Sequence, residues 1–591
     1  MAFAFGTPIP DRLNMLQPGH NGPGGANNHD AVLKADNINQ WTIYNTLFGG
    51  GSNAVTVTLG AMVTAPDGTN TGQRIVETTT NSIHGLQAIT QPGAQNSALS
   101  SVPWHVERLA VIAKADQRTR IALVISDYLF PNSGAGTPNG VQAVFDLAGG
   151  QVGVPAAVFG PGTGLRWAWQ AVGSNITALS GGWYLCTLDA IIGDIAGGIG
   201  PTSSFLIDNG SGLAAQSTVY AGDVTKGILT WRASMLPPRA WALTDQIFFE
   251  DFNDLSTIDL ASSLAPGFNW YINGKYPLFG VDPITPSQLS VNSSILKFDV
   301  SPSNHPQEMF SINYGPGPFS AGQFPWVGTV WTVPMLMESS WAWNTTPVPS
   351  FTASFWTTDA VKLGTVLDTT TYPPSGWPTG MSGVEVDIFE NSAAPAGYTP
   401  FISISNLAAP PFSAGFQGGE EKFKNTPLDV YPVWIPSNDY FSHGGKVFWQ
   451  GNWYQSSSAG YNIGNQPPNA SFWTPISAPV PNIVVDFSQQ HVYSLLWIPY
   501  VGPNDFGQIL HFFDGMFAGG ICYGPSAVYG QGSTLLQAGD NLFYPIFLQG
   551  GNNYAVFIDW VSVYGPPQSN LGSLTVRDSS ATARPARATS Q

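Results

Sequence analysis

The stretch "SGVEVDIFENS" (residues 382–392) reads as a strand from its Val, Ile and Phe, yet it holds three carboxylates, Glu385, Asp387 and Glu390, at offsets of two and then three. Side chains of a regular strand alternate faces, so Glu385 and Asp387 project to one side while Val386 and Ile388 project to the other. Glu390, five positions after Glu385, then falls on the wrong face. A β-bulge at residues 388–389 adds one residue and returns Glu390 to the face shared by the other two. Three acids on one face repel one another, and the opposite face is apolar. The pattern predicts a central strand with an acidic working surface.

Such a surface suits one chemistry. Retaining glycoside hydrolysis needs two carboxyl groups roughly 5–5.5 Å apart, one as nucleophile and one as acid/base. Two glutamates on one strand face, leaning toward each other, can meet that separation. The middle Asp387 can hydrogen-bond the nucleophile and hold its charge state, and the proximity of anions raises the affinity of the proton donor for its proton.

Around this strand, the chain is too long for one core: it has 591 residues, and single cores stop growing at roughly 250–300. Charged residues are only 10% of the chain, while Gly (66), Pro (48) and aromatics (13%) are plentiful. That balance suits short strands joined by turns. The expected fold class is all-β, with two β-sandwich (jelly-roll) domains.

The formal net charge of −17 argues against a nucleic-acid partner, whose phosphates demand Lys and Arg. No apolar run of about 20 residues predicts a membrane span, and the first residues lack the pattern of an ordinary export signal. Cys186 and Cys522 lie far apart and are expected as buried thiols rather than a disulfide framework.

Pro237-Pro238 marks a boundary, since neither a ladder nor a helix continues through it. The expected layout is an arm or linker at 1–32, a jelly-roll domain at 33–236, a linker at 237–245, a second jelly-roll domain at 246–566 and a flexible tail at 567–591. In the first domain "TAPDGTNTGQRIVET" (64–78), "RLAVIAKADQRTRIAL" (108–123), "GGWYLCTLDA" (181–190) and "VYAGDVTKGILTWRASML" (219–236) resemble the jelly-roll modules of phage tail and other virion proteins, which are similar to carbohydrate-binding modules.

"EVDIFE" (385–390) resembles the E-x-D-x-x-E signature of glycoside hydrolase family sixteen, the group of laminarinases, lichenases, agarases and carrageenases. "FFEDFND" (248–254), "GTVWTVPMLM" (328–337), "SFTASFWTTD" (350–359), "HVYSLLWIPY" (491–500), "HFFDG" (511–515) and "AVFIDWVSVYGP" (555–566) follow the same family's strand order. The resemblance implies a retaining endo-β-glycanase on a concanavalin-like jelly roll, with Glu385 as nucleophile, Asp387 as helper and Glu390 as acid/base. Asp559 resembles a position near a structural calcium in some members; no cofactor and no metal site is expected as a requirement.

Sugar rings expose apolar C–H faces that stack on aromatic side chains. Trp356 and Trp377 lie close to the motif, and Trp434, Trp449 and Trp453 lie in an insertion that could wall a cleft. His443, in "SHGGK", is a candidate substrate contact, whereas His491 and His511 sit on expected core strands. The expected partner is a β-linked polysaccharide, with other virion proteins as further partners. A virion or extracellular location follows from pairing such an enzyme with a phage-like first domain. A non-catalytic decoration or adhesion protein that only binds glycan is the alternative.

Overall fold

Alternating segments of the first part pair as the pattern requires. In a computed structural model, described at residues 13, 42–43, 56–89, 106–126, 140–157, 169–193, 202–214, 219–263, 265–272, 284–299, 307–314, 326–343, 353–358, 384–391, 401–406, 430–432, 446–457, 465–477, 483–485, 488–499, 507–523, 544–550 and 555–567, the chain is all-β. One six-stranded sheet runs Gln170–Ala178, Tyr184–Ile191, Val106–Lys114, Gly227–Leu236, Gly72–Glu77, Val57–Val63. Facing it, a seven-stranded sheet is built around Thr202–Ile207, Arg120–Ser126 and Gly140–Asp146. Leu109, Val111, Ile121, Leu123 and Phe205 fill the space between them. Cys186 is fully buried there, and burial pushes its thiol up.

The described strands between residues 245 and 565 form a second sandwich. Its eight-stranded sheet is centred on Ala555–Gly565, Met335–Trp343, His491–Ile498 and Gly507–Phe513. Its seven-stranded sheet runs Ile258–Asp259, Trp270–Ile272, Gln307–Phe310, Phe547–Gly550, Ala353–Thr358, Val384–Asn391, Phe401–Asn406. The acid-bearing strand is therefore flanked on both sides by other strands, as its apolar face demands. Trp341, fully buried between the sheets, packs edge-on against Phe389 at 5.0 Å, and its indole N–H donates to Ser339 Oγ at 2.7 Å.

Turn chemistry fixes the hairpins. Asp514 and Gly515 both adopt positive φ (49° and 80°) between Gly507–Phe513 and Met516–Tyr523, the two-residue turn whose twist matches the strands. Asp514 also accepts from the Val492 backbone N–H at 2.8 Å and pairs with His491 Nδ1 at 2.6 Å.

The connection near residues 237–245 is a packed joint. Pro238–Ala242 forms a short 3-10 turn, and Ala240 and Leu243 are buried. They belong to one apolar cluster with Leu336, Leu496, Leu510 and Phe512 from the far face of the eight-stranded sheet. Leu13, in the segment expected as an arm, is buried in the same cluster. Gln508 Nε2 donates across this junction to Glu107 Oε1 at 2.8 Å, both side chains being buried.

Candidate active site

The site is built from strand register. Opposite the motif, Thr358 pairs with Glu385, Trp356 with Asp387, Phe355 with Phe389 and Ser354 with Glu390. Ile388 has no partner in this ladder, so the register slips by one residue between Asp387 and Phe389. On the other side Asp387 pairs with Ser403 and Glu390 with Phe401, the same one-residue excess. This is the bulge that the spacing of the acids requires. The three acids stand opposite positions 354, 356 and 358, which alternate along a regular strand and so share one face.

Packing agrees with register. Val386, Ile388 and Phe389 all lie in the core between the sheets, including the two consecutive residues of the bulge. Asp387 lies on the other face and is 8% exposed. At Glu385 and Glu390 the described structure is backbone only.

A row of side chains crosses the acid-bearing face at the level of Asp387. Phe310 pairs with Phe547, Phe547 with Trp356 and Trp356 with Asp387. The Trp356 indole stacks on Phe547 with centroids 4.1 Å apart and planes at 19°, and Phe310 meets Phe547 edge-on at 5.2 Å. Trp356 is only 4% exposed, which makes it part of the packed floor beside Asp387 rather than an open stacking platform. One row along, Glu308 pairs with Gln549, Gln549 with Ser354 and Ser354 with Glu390. Sequence reasoning did not single out Glu308; its only signal was a carboxylate two positions from Phe310 on a short apolar strand.

His511 supports the motif from the opposite sheet. It is buried between Ile509 and Phe513, strand neighbours that belong to the inter-sheet core. Burial pulls its ring down to about 3, against a smaller opposing pull from the backbone of Asp387. Neither ring nitrogen meets strict hydrogen-bond geometry, so the Asp387 contact is the weaker influence. An unfolded His takes up its proton near 6.5, so between that value and about 3 the unfolded chain binds more protons than the folded one. The stability held by neutral His511 is complete above about pH 6.5 and is lost as pH falls toward 3. Thermal melts at pH 7 and pH 4.5 should show a smaller acid-side loss for His511→Gln than for the native chain; equal losses would remove His511 from this account.

The aromatic candidates separate. Trp449 and Trp453 belong to an antiparallel sheet of Lys446–Trp449, Asn452–Ser456 and Trp473–Ile476. Trp449 packs against Val447, Tyr454 and Trp473, while Trp453, on the other face of this sheet, is 7% exposed. Trp377, Trp434 and His443 lie outside the described residues, as does the side chain of Cys522. His491 is held by Asp514 and stacks on Phe513 at 5.2 Å, a packing role. Burial raises the Asp559 carboxyl, and the charge of Asp251 adds to the effect. Among the described residues no group of three or more His, Cys, Asp or Glu side chains could hold a metal.

No protein-family model and no curated protein matches the chain. Solved structures do show likenesses. The endo-β-1,3-glucanase from Pyrococcus furiosus is 12% identical with a TM-score of 0.25, over 54% of this chain and 94% of that one. SCLam, a non-specific endo-β-1,3(4)-glucanase of family GH16, is 12% identical with a TM-score of 0.27, over 55% and 91%. The laminarinase catalytic domain from Thermotoga maritima is 11% identical with a TM-score of 0.24, over 54% and 97%. Similarity at this level assigns neither family nor activity, and the fold rests on the strand topology described above.

Proposed function

We propose that the chain is a retaining endo-β-glycanase acting on a surface or extracellular polysaccharide, with Glu385 as nucleophile, Glu390 as acid/base and Asp387 as the group that holds the nucleophile's charge. The observation that supports this reading is the bulge, by which the backbone positions of all three acids share one face of a strand paired on both sides. Glu385 and Glu390 stand two ladder steps apart, roughly 13–14 Å along the backbone, and two glutamate arms leaning inward can close that to the roughly 5–5.5 Å of a retaining pair. Glu390 protonates the leaving oxygen as Glu385 attacks the anomeric carbon. Glu390 then takes a proton from the water that releases the glycosyl group. Trp377, Trp434, Trp449 and His443 are proposed substrate contacts, and Trp453, 7% exposed, is set aside on the same ground as Trp356. The first sandwich is proposed to bind glycan and to join the enzyme to a virion, on the strength of its sequence resemblance. No cofactor is required by this scheme.

A second reading, a glycan-binding decoration without catalysis, is favoured by the low exposure of Asp387 and Trp356 at the floor. The two are separated by incubating the protein with laminarin, mixed-linkage β-glucan, agarose and carrageenan, and following products by proton NMR. Retaining hydrolysis gives new reducing ends that appear first as the β-anomer and then mutarotate. Glycan retention with no new reducing ends selects the binding reading, and α-anomers appearing first overturn the retaining assignment.

A further inference from the structure

Glu308 is an acid for which the proposed mechanism has no use. It lies on the short Gln307–Phe310 strand, on the face opposite the core residue Met309 and shared with Phe310, Phe547 and Trp356. It is 3% exposed. A carboxyl so placed normally meets a cation or several donors. Here the Trp356 side chain is its hydrogen-bonding neighbour, in a contact short of ideal geometry, and Oε2 meets no partner.

The groups that face it are mostly neutral. They are Tyr271 on Trp270–Ile272, Gln549 and Phe547 on Phe547–Gly550, and Ser354 and Trp356 on Ala353–Thr358. Asp387, beyond Trp356 on Val384–Asn391, is the charged group, with the backbone positions of Glu385 and Glu390 on the same face. An indole is a donor only, so Trp356 can use Glu308 as its acceptor whether or not the acid carries its proton.

We infer that Glu308 is a positioning residue: through the indole N–H it fixes the rotation of Trp356 against Phe547, and so sets the shape of the floor directly beside Asp387. Burial pushes the Glu308 carboxyl up to about 8, with the Trp356 contact opposing the shift in part. Glu308 is therefore neutral at pH 7, adds no further negative charge to the acid-bearing face, and changes what the indole feels as it ionises.

The inference rests on the glycanase reading only for its effect on substrate. Its first test needs no substrate. The full chain is labelled with [15N-indole]tryptophan, and the Trp356 N–H signal is identified by its loss in Trp356→Phe. In the native chain that signal is expected to move with a midpoint near pH 8. In Glu308→Gln, which keeps an acceptor but cannot ionise, it should stay fixed across the same range. In Glu308→Leu, which has no acceptor, it should be displaced at every pH. A step that persists in Glu308→Gln, or a Trp356 signal unmoved by Glu308→Leu, overturns the inference. On a glycan that the native chain cleaves, Glu308→Leu should raise KM about 10-fold with kcat changed far less, and Glu308→Gln should restore it. Equal KM values for native and Leu forms overturn the role toward substrate. If the native chain cleaves no glycan, the glycanase reading fails, and the indole titration still decides for or against Glu308.

Discussion

Changing Glu385 to Gln is expected to lower the hydrolysis rate of any glycan the native chain cleaves by about 10⁴-fold or more, the scale of loss when a covalent nucleophile is removed. The amide has nearly the shape of the acid, so glycan binding and the melting temperature should stay close to native. That separation is what distinguishes a nucleophile from a surface acid, whose loss would leave the rate within a few-fold. Reducing-end release measured alongside binding of the same polysaccharide checks it, and full activity in the Gln form would sink the assignment of Glu385.

The second large effect concerns register. Inserting one Ala between Ile388 and Phe389 should abolish activity. The acids then fall at offsets of two and four, which regular alternation keeps on one face without a bulge, but Glu390 then stands six residues from Glu385, roughly 20 Å along the strand, beyond the reach of a retaining pair. Deleting Ile388 is the informative partner. It removes the bulge, so the acids fall at offsets of two and two and regular alternation keeps them on one face. The cost is chiefly the lost packing of a buried Ile, about 2–4 kcal/mol. The expected result is an inactive insertion and a deletion that is weakened but active. An insertion with native activity would show that the chemistry does not depend on the spacing of Glu385 and Glu390.

The bulge was legible because the sequence stated the conflict outright: an apolar strand with acids at two and then three can satisfy its core face in only one way. The Asp514-Gly515 hairpin went unread, since "HFFDG" entered only as part of a family strand order, although residues that accept positive φ suit a two-residue turn. Glu308 was not legible either. A carboxylate in "QEMF" reads as an outward strand residue, and only the strand order, which sets Gln549, Phe547 and Trp356 around it, shows that its surroundings are dry. His511 was read as a core residue, but its relation to the motif runs across the sheet-to-sheet space from a strand more than a hundred residues away. Trp356 was expected as a sugar platform because it lies near the motif, whereas the aromatic row stacks it into the floor. The packing of the connection near 237–245 was not legible, because paired prolines signal the end of a strand and carry no information about what packs on the residues after them.

The apolar cluster that joins Leu236 and Leu243 to Leu496, Leu510 and Phe512 bears on how this chain can be cut and how it can evolve. The rear of the eight-stranded sheet is closed by the other sandwich, so dividing the chain near residue 244 would open two greasy faces to water instead of freeing two finished parts. Selection for a new ligand at the acid-bearing face therefore has to work on the loops and strand ends around the acids. Swapping the first sandwich for another would need a replacement that also fits the rear wall of the second.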